Sequence, residues 1–285
     1  MKTKSTITLL LFAVLIVCTA NSQVNDSKQI TVTETDMNNQ TIIEMHTTLG
    51  DMTIALYNET PQHRDNFVKL VEEGYYDGVL FHRVIKDFMI QTGDPDSKNA
   101  APNKMLGSGN PGYTIEAEFN YPQYFHKYGA LAAARTGDQV NPQKRSSGSQ
   151  FYIVTGKKYT TSQLSQMNVQ MLNKKRQAYF SGLVKENKEK IQQLQSANDT
   201  AALNALQNEL IQLTEDAIKE APMTNEIIEA YTTVGGTPHL DAEYTVFGEI
   251  IEGMEIVDKI QNVATNRMDR PVEDVKIISM KVVKK

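Results

Sequence analysis

The sequence predicts a mainly β fold, an all-β sandwich or barrel capped by two helices and interrupted by an inserted α-helical arm. Three observations lead there. Short strand-like runs recur on both sides of the middle of the chain, only two helical patterns accompany them, and residues 157–236 switch to helical spacing. At 285 residues with 40% hydrophobic composition, the chain is long enough to bury a substantial core.

Residues 1–23 begin with Lys2 and Lys4, continue through an apolar run from Ile7 to Val17, and close on small and polar residues through Ser22. This is the layout of a secretory signal peptide, with Ala20 and Ser22 as the cleavage pattern. The run is too short for a membrane span, so no integral span is expected in the mature chain. Cys18, the single cysteine, ends that run. Leu15-Ile16-Val17-Cys18 partly matches a bacterial lipobox, with Val17 where a small residue is expected, so a lipid anchor at Cys18 stands beside simple cleavage. Either route places the protein outside the cytoplasm, in the periplasm or at the outer membrane in preference to the medium. Residues 24–40 are rich in Thr, Asn, Asp and Gln and read as a flexible linker.

From Thr41 the pattern becomes that of a β-hairpin, Ile42 to His46 and Met52 to Tyr57 joined through Leu49-Gly50-Asp51. Thr60-Pro61 supplies an N-cap and an N1 proline for a helix that carries Phe67, Leu70 and Val71 on one face and ends at Gly74. Phe81 to Asp94 alternates as an extended strand, which puts Met89 and Gln91 on one surface. Residues 92–114, rich in Gly, Pro, Asn and Ser, form a long excursion loop. Strands follow at Gly129 to Ala134, Gln150 to Val154, Tyr244 to Ile251 and Val275 to Val283, with a short helix at Gly253 to Ile260. Within the arm, Leu203, Leu206, Leu210, Leu213 and Ala217 keep helical spacing. Asn198-Asp199-Thr200 supplies a turn and cap, Pro222 ends the second helix, and Gly235-Gly236 closes a third.

Several functional classes are disfavoured by the residues themselves. A net charge of −5 gives no basic footprint for nucleic acid. The five histidines lack close metal-ligand spacing, so no metal is expected. The Gly107 to Gly112 stretch lacks the Lys-Ser/Thr of a phosphate loop, and Ser146, Ser147 and Ser149 lack a nucleophile elbow.

Taken singly, Arg83 reads as a surface arginine, Phe88, Met89 and Leu240 as core, and Gln91 and Gln150 as solvated strand positions. Their order along the chain says more. Asn66-Phe67, Gly74-Tyr75-Tyr76-Asp77-Gly78, the run Phe81 to Asp94, Glu118-Phe119, Leu131 to Thr136, Gly148 to Tyr152, and Leu240-Asp241 through Gly248 together closely resemble the cyclophilin family of peptidyl-prolyl cis-trans isomerases. The resemblance covers residues 41–156 and 237–285, and it implies one isomerase domain over 41–285 broken by the 157–236 insertion. The implied fold is a closed eight-stranded antiparallel β-barrel with a helix over each open end.

The implied reaction is rotation about X–Pro bonds in unfolded or flexible polypeptides, in aid of the folding of exported proteins. Amide resonance sets a barrier of ~18–20 kcal/mol, and each tenfold acceleration removes ~1.4 kcal/mol of it. No bond to carbon is made or broken, so no cofactor is required. By resemblance Arg83, Phe88 and Gln91 are catalytic, with the arginine donating to the prolyl nitrogen as its lone pair localises. Substrate contacts are implied for His82, Met89, Ala134, Arg135, Gln150, Tyr152, His239, Leu240 and Tyr244. Well-studied members have Phe at Tyr152, Asn at Arg135, Trp at His239 and His at Tyr244. The local motifs look like bacterial variants of the same pattern, and loss of the Trp counts against tight cyclosporin binding. A rival reading is a non-catalytic peptide-binding chaperone or scaffold built on the barrel and arm.

Overall fold

A computed structural model of the chain describes residues 39–219 and 223–285. The expected signal peptide, Cys18, Pro222 and the linker up to residue 38 lie outside the described residues. The last two linker positions are packed: the Asn39 carbonyl accepts the Asn58 side-chain amide at 3.2 Å, and Gln40 is buried.

Strands β1 (Thr41–Thr47) and β2 (Gly50–Leu56) form the expected hairpin, with Thr47 opposite Gly50. Helix α1 (Pro61–Glu72) follows. The run from Phe81 is a hairpin, not one long strand: β3 (Arg83–Ile85) turns through Asp87, at φ 58, into β4 (Met89–Thr92). Next come β5 (Thr114–Ile115), β6 (Ala130–Ala133), β7 (Ser146–Ser147) and β8 (Phe151–Val154). The arm contains α2 (Thr161–Glu186), α3 (Lys188–Ser196), α4 (Thr200–Ala217) and α5 (Asn225–Thr233). Strand β9 (Val246–Glu252), helix α6 (Met254–Gln261) and β10 (Ile277–Lys284) complete the chain.

Eight strands share one antiparallel sheet in the order β10-β1-β2-β9-β6-β8-β4-β3, while β5 and β7 pair separately. The strand ladder is therefore open between β3 and β10, unlike the closed ring that the resemblance implied. There the chain ahead of β3 meets the start of β10 and the residues before it, with Gly78 and Phe81 donating to the Ile277 and Val275 carbonyls at 2.8 and 2.9 Å. Their register is too short and irregular to count as a paired strand.

Burial divides the apolar side chains into three clusters. The main core joins Ile43, Ile54, Val84, Ile90, Leu131 and Ile153 of the sheet to Phe67 and Leu70 of α1 and Val257 and Ile260 of α6. The Phe67 ring meets Phe151 and Phe247 edge-on at 5.0 and 5.4 Å. A second cluster contains Met89, Ala132, Tyr152 and Val246, so this part of the sheet buries apolar groups on both faces. The third sits at the arm's base, where Phe125 packs on Leu164, Ile227 and Tyr231.

Capping of α1 departs from expectation. Thr60 makes no side-chain cap; its hydroxyl donates back to the Tyr57 carbonyl. The free amides of Gln62 and His63 are satisfied by the distant Glu118 carboxylate, at 3.1 and 3.0 Å. Burial pushes the Glu118 carboxyl up, but its bond to the His63 ring and these two amides outweigh that and hold it below the usual range.

The arm is helical as its spacing predicts, but Asn187 breaks the first long helix into α2 and α3. Asn198 turns the chain at φ 54 and Asp199 caps Ala202 at 2.9 Å, as the turn signal suggests. A full capping box between Thr160 and Gln163 starts α2. Both ends of the arm meet in a narrow neck: Gly236 donates to the Lys157 carbonyl at 3.1 Å, and a Cβ on Gly156 would collide with the Gly236 carbonyl. Among the described residues no helix is long and apolar enough to cross a membrane.

Candidate active site

The β3–β4 hairpin sets Arg83 directly opposite Gln91, and Ile85 opposite Met89. Side chains on one strand alternate between faces, so Val84 and Ile90 enter the main core while Met89 joins the second cluster. Phe88, at the turn, packs against that second cluster from outside. Arg83 reaches across: its Nη1 lies 3.9 Å from Met89 Sδ and its guanidinium carbon 6.0 Å from the Phe88 ring centre. Its Nε also stands 3.7 Å from Asp269 Oδ2. Both side chains of that pair are nearly half exposed, so the ion pair contributes only ~0–1 kcal/mol and orients the arginine without locking it.

Gln91 and Gln150 are brought together by the pairing of β4 with β8. Gln91 Nε2 donates to Gln150 Oε1 at 3.0 Å, and Gln150 Nε2 donates in turn to the Gly107 and Gly109 carbonyls at 3.0 and 2.7 Å. The excursion loop is thereby tied to the site's edge. Asp94, fully buried, holds the same loop through the amides of Gly107 and Gly109. The carboxylate strengthens the short Gly107 bond, while the Gly109 contact, at 3.4 Å, is long and weak.

His82 lies under the excursion loop behind this edge. Its buried ring sits under Gly107, where an added Cβ would lie 3.7 Å from Nε2, and neither ring nitrogen makes an ordinary hydrogen bond. Burial lowers its pKa to about 4 against the opposing pull of the Asp94 carboxylate.

The floor of the site is apolar. Met89, Ala134 and Tyr152 are buried together, with Phe88, Leu240 and Tyr244 packed against them. His239 is exposed and stacks on Phe88, the ring centres 5.7 Å apart and the planes 19° from parallel. Tyr244 closes the other side, edge-on to Tyr152 at 5.9 Å. Arg135 is placed differently from a substrate contact with free donors. Its guanidinium is almost wholly buried and bonds the Glu243 and Thr136 carbonyls and the Asp138 carboxylate, with its carbon 4.5 Å from the Tyr244 ring centre. It thus fixes the Tyr244 wall, and its bond holds the exposed Asp138 carboxyl below the usual range.

The result is an apolar floor with one permanent cation and one amide pair along its edge. Such a surface can seat a compact apolar ring, hold a peptide group by hydrogen bonds, and direct an N–H donor at an atom whose lone pair develops during rotation. Asp269 and the Gly107 and Gly109 carbonyls also belong to this edge. No local pattern marks them, because their partners are remote in sequence.

The family described as cyclophilin type peptidyl-prolyl cis-trans isomerase/CLD matches residues 42–216 and 216–282. A relative from Staphylococcus epidermidis is 33% identical over 245 residues, covering 86% of this chain and 92% of its own length. One from Staphylococcus aureus is 34% identical over 241 residues, covering 84% and 90%. The names of both carry the words peptidyl-prolyl cis-trans isomerase. Among solved structures, a cyclophilin type peptidyl-prolyl cis-trans isomerase of Cryptosporidium parvum aligns with a TM-score of 0.50 at 18% identity, over 86% of this chain and 99% of that one. The family match and both relatives agree, and the chain belongs to the cyclophilin-type peptidyl-prolyl cis-trans isomerases.

Proposed function

We propose that the protein accelerates cis–trans rotation about X–Pro bonds in flexible polypeptides, with Arg83 as its catalytic group. The observation that carries this reading is the convergence of Arg83, Phe88 and Met89 on one face beside the Gln91–Gln150 pair. The proline ring sits on Phe88, Met89, Tyr152 and Leu240, and the glutamines hold the adjoining peptide groups. Arg83 donates to the prolyl nitrogen only as resonance is lost, which favours the twisted state over either planar one. Ala134, His239 and Tyr244 border the ring, while Arg135 and His82 act from behind by fixing Tyr244 and the Gly107 loop.

Two further readings belong to this proposal. The backbone bonds linking 78–81 to 275–277 support a barrel that is functionally closed across its unpaired seam. The charged start, apolar run and small-residue end of residues 1–23 support export, with a tether to the membrane if Cys18 is lipidated. The clients are then exported proteins whose folding waits on proline isomerisation.

A protease-coupled assay on a proline-containing tetrapeptide tests the reading. Arg83→Ala is expected to lower kcat/KM by roughly 10²-fold, the scale for loss of one transition-state donor, with the melting temperature unchanged. An inactive wild-type chain, or an Arg83→Ala variant equal to it, would leave a peptide-binding scaffold as the better reading.

A further inference from the structure

The arm and the prolyl site are joined by an unbroken chain of buried polar groups. Tyr231 on α5 donates its hydroxyl to Asp241 Oδ2 at 2.7 Å. Asp241 Oδ1 accepts both the backbone amide and the ring Nδ1 of His126, each at 2.9 Å. His126 Nε2 then meets the Tyr152 hydroxyl at 3.0 Å. All four side chains are at most 4% exposed, and Tyr152 forms part of the floor beside Met89. Asp241 can only accept, so His126 Nδ1 donates to it, and the Nε2 contact with the Tyr152 hydroxyl completes the chain.

We infer that Tyr231, contributed by the inserted arm, is a positioning residue for the prolyl site: acting through Asp241 and His126, it sets the Tyr152 ring and the turn that carries His239 and Leu240. The inference rests on the isomerase reading above. Asp241 directly follows Leu240, so its two carboxylate oxygens pin the turn between barrel and arm. The arm's base is held to the same place by backbone bonds, with Thr237 donating to the His126 carbonyl at 2.9 Å and Tyr159 to the Tyr231 carbonyl at 3.0 Å. The Tyr231 ring packs on Phe125, 5.5 Å between centres, so rotation of α5 moves the hydroxyl off Asp241. A carboxylate in this setting cannot recover a lost donor from bulk water, and the turn shifts to find another.

Tyr231→Phe removes the hydroxyl and keeps the ring. Its kcat/KM on a proline-containing tetrapeptide, measured by NMR exchange spectroscopy, is expected to fall roughly 3- to 10-fold. The loss should sit in kcat and not KM, because the glutamine pair still binds the peptide while the proline ring is misplaced relative to Arg83. Ile227→Val, a buried change on the same helix outside the chain of bonds, controls for lost stability and should leave turnover alone. Tyr152→Phe combined with Tyr231→Phe should cost no more than the larger single change, since both break one chain.

Wild-type turnover in Tyr231→Phe, an equal loss in Ile227→Val, or additive single changes each overturn the inference. Should Tyr231→Phe not fold, the wild-type chain still decides: on saturation with the tetrapeptide the His126 ring nitrogens and the Tyr231 ring should shift, and unmoved resonances overturn the inference. Loss of activity in Arg83→Ala with full activity in Tyr231→Phe removes this inference alone, while an inactive wild-type chain removes both.

Discussion

The barrel and the arm are built from the same chain by opposite means. In the barrel, side chains from α1, α6 and the sheet interlock in a core whose members are nearly all below 5% exposed. In the arm, α2 runs 26 residues yet buries only Leu164, and α3 buries none. Helix α4 buries Leu206, Leu210 and Thr214, and α5 buries Ile227 and Tyr231. Isolated helices are marginal in water, so what tertiary burial does for the barrel must be done in the outer arm by caps and helix–helix contact. The difference teaches where the two regions meet: Phe125 of the barrel packs with Leu164, Ile227 and Tyr231 of the arm, and the helices beyond them pack mainly on one another.

The largest expected effect lies in the core. Phe67→Ala, which removes a ring in contact with Tyr76, Phe151 and Phe247, should cost ~3–5 kcal/mol in urea unfolding. A cost below about 1.5 kcal/mol would mean that the barrel core collapses around the gap and is no more specific than the arm.

A somewhat smaller effect follows from His82. Its folded pKa, about 4, lies below the unfolded value of 6.5, so the unfolded chain takes the proton first and stability falls as pH drops through this window. Above pH 6.5 the ring contributes nothing to the pH dependence. Between pH 6.5 and 4 it should remove up to ~3 kcal/mol, and His82→Gln should flatten that part of the acid limb. Thermal melts at pH 7, 5.5 and 4 would expose an unchanged slope, which would place the ring in water and not under the Gly107 loop.

The smallest effect sharpens the comparison most. Asp199→Ala removes the cap on α4 and should cost ~1 kcal/mol, felt locally. Hydrogen exchange should speed up at the start of α4 while peptide turnover and the barrel's exchange stay the same. A drop in turnover would show that the outer arm reaches the site and that the boundary drawn at the base is misplaced.

Most of the barrel could be read in advance because its signals are local. Alternation marks β1, short unbroken apolar runs mark β6 and β8, and Gly253, at φ 85, punctuates the join between β9 and α6. The site's apolar floor and glutamine pair were legible through the order of the motifs that hold them. What escaped has partners far away in sequence. Glu118 caps α1 without any mark near Thr60, and residues 78–80 on one side of the seam carry no strand pattern. Strands β5 and β7, two residues each, are too short to show a period. Metal-ligand spacing says nothing of the partner of His126, because Asp241 lies 115 residues further along the chain. The Tyr231 hydroxyl gave no signal, because a tyrosine on an amphipathic helix looks like any other core aromatic.

The neck at Gly156 and Gly236 has a consequence for how such a chain could lengthen. Because the inserted segment leaves and re-enters the barrel at adjoining backbone atoms, the barrel experiences residues 157–235 as a closed loop whose span is fixed whatever its contour. The closure entropy of a loop rises only with the logarithm of its length, ~0.6 kcal/mol per doubling. Long and short loops are therefore nearly interchangeable at this point, provided the two glycines keep the crossing narrow. The neck is a natural graft site, where helices of another sequence could be installed outside the Tyr231 anchor with little change in barrel stability.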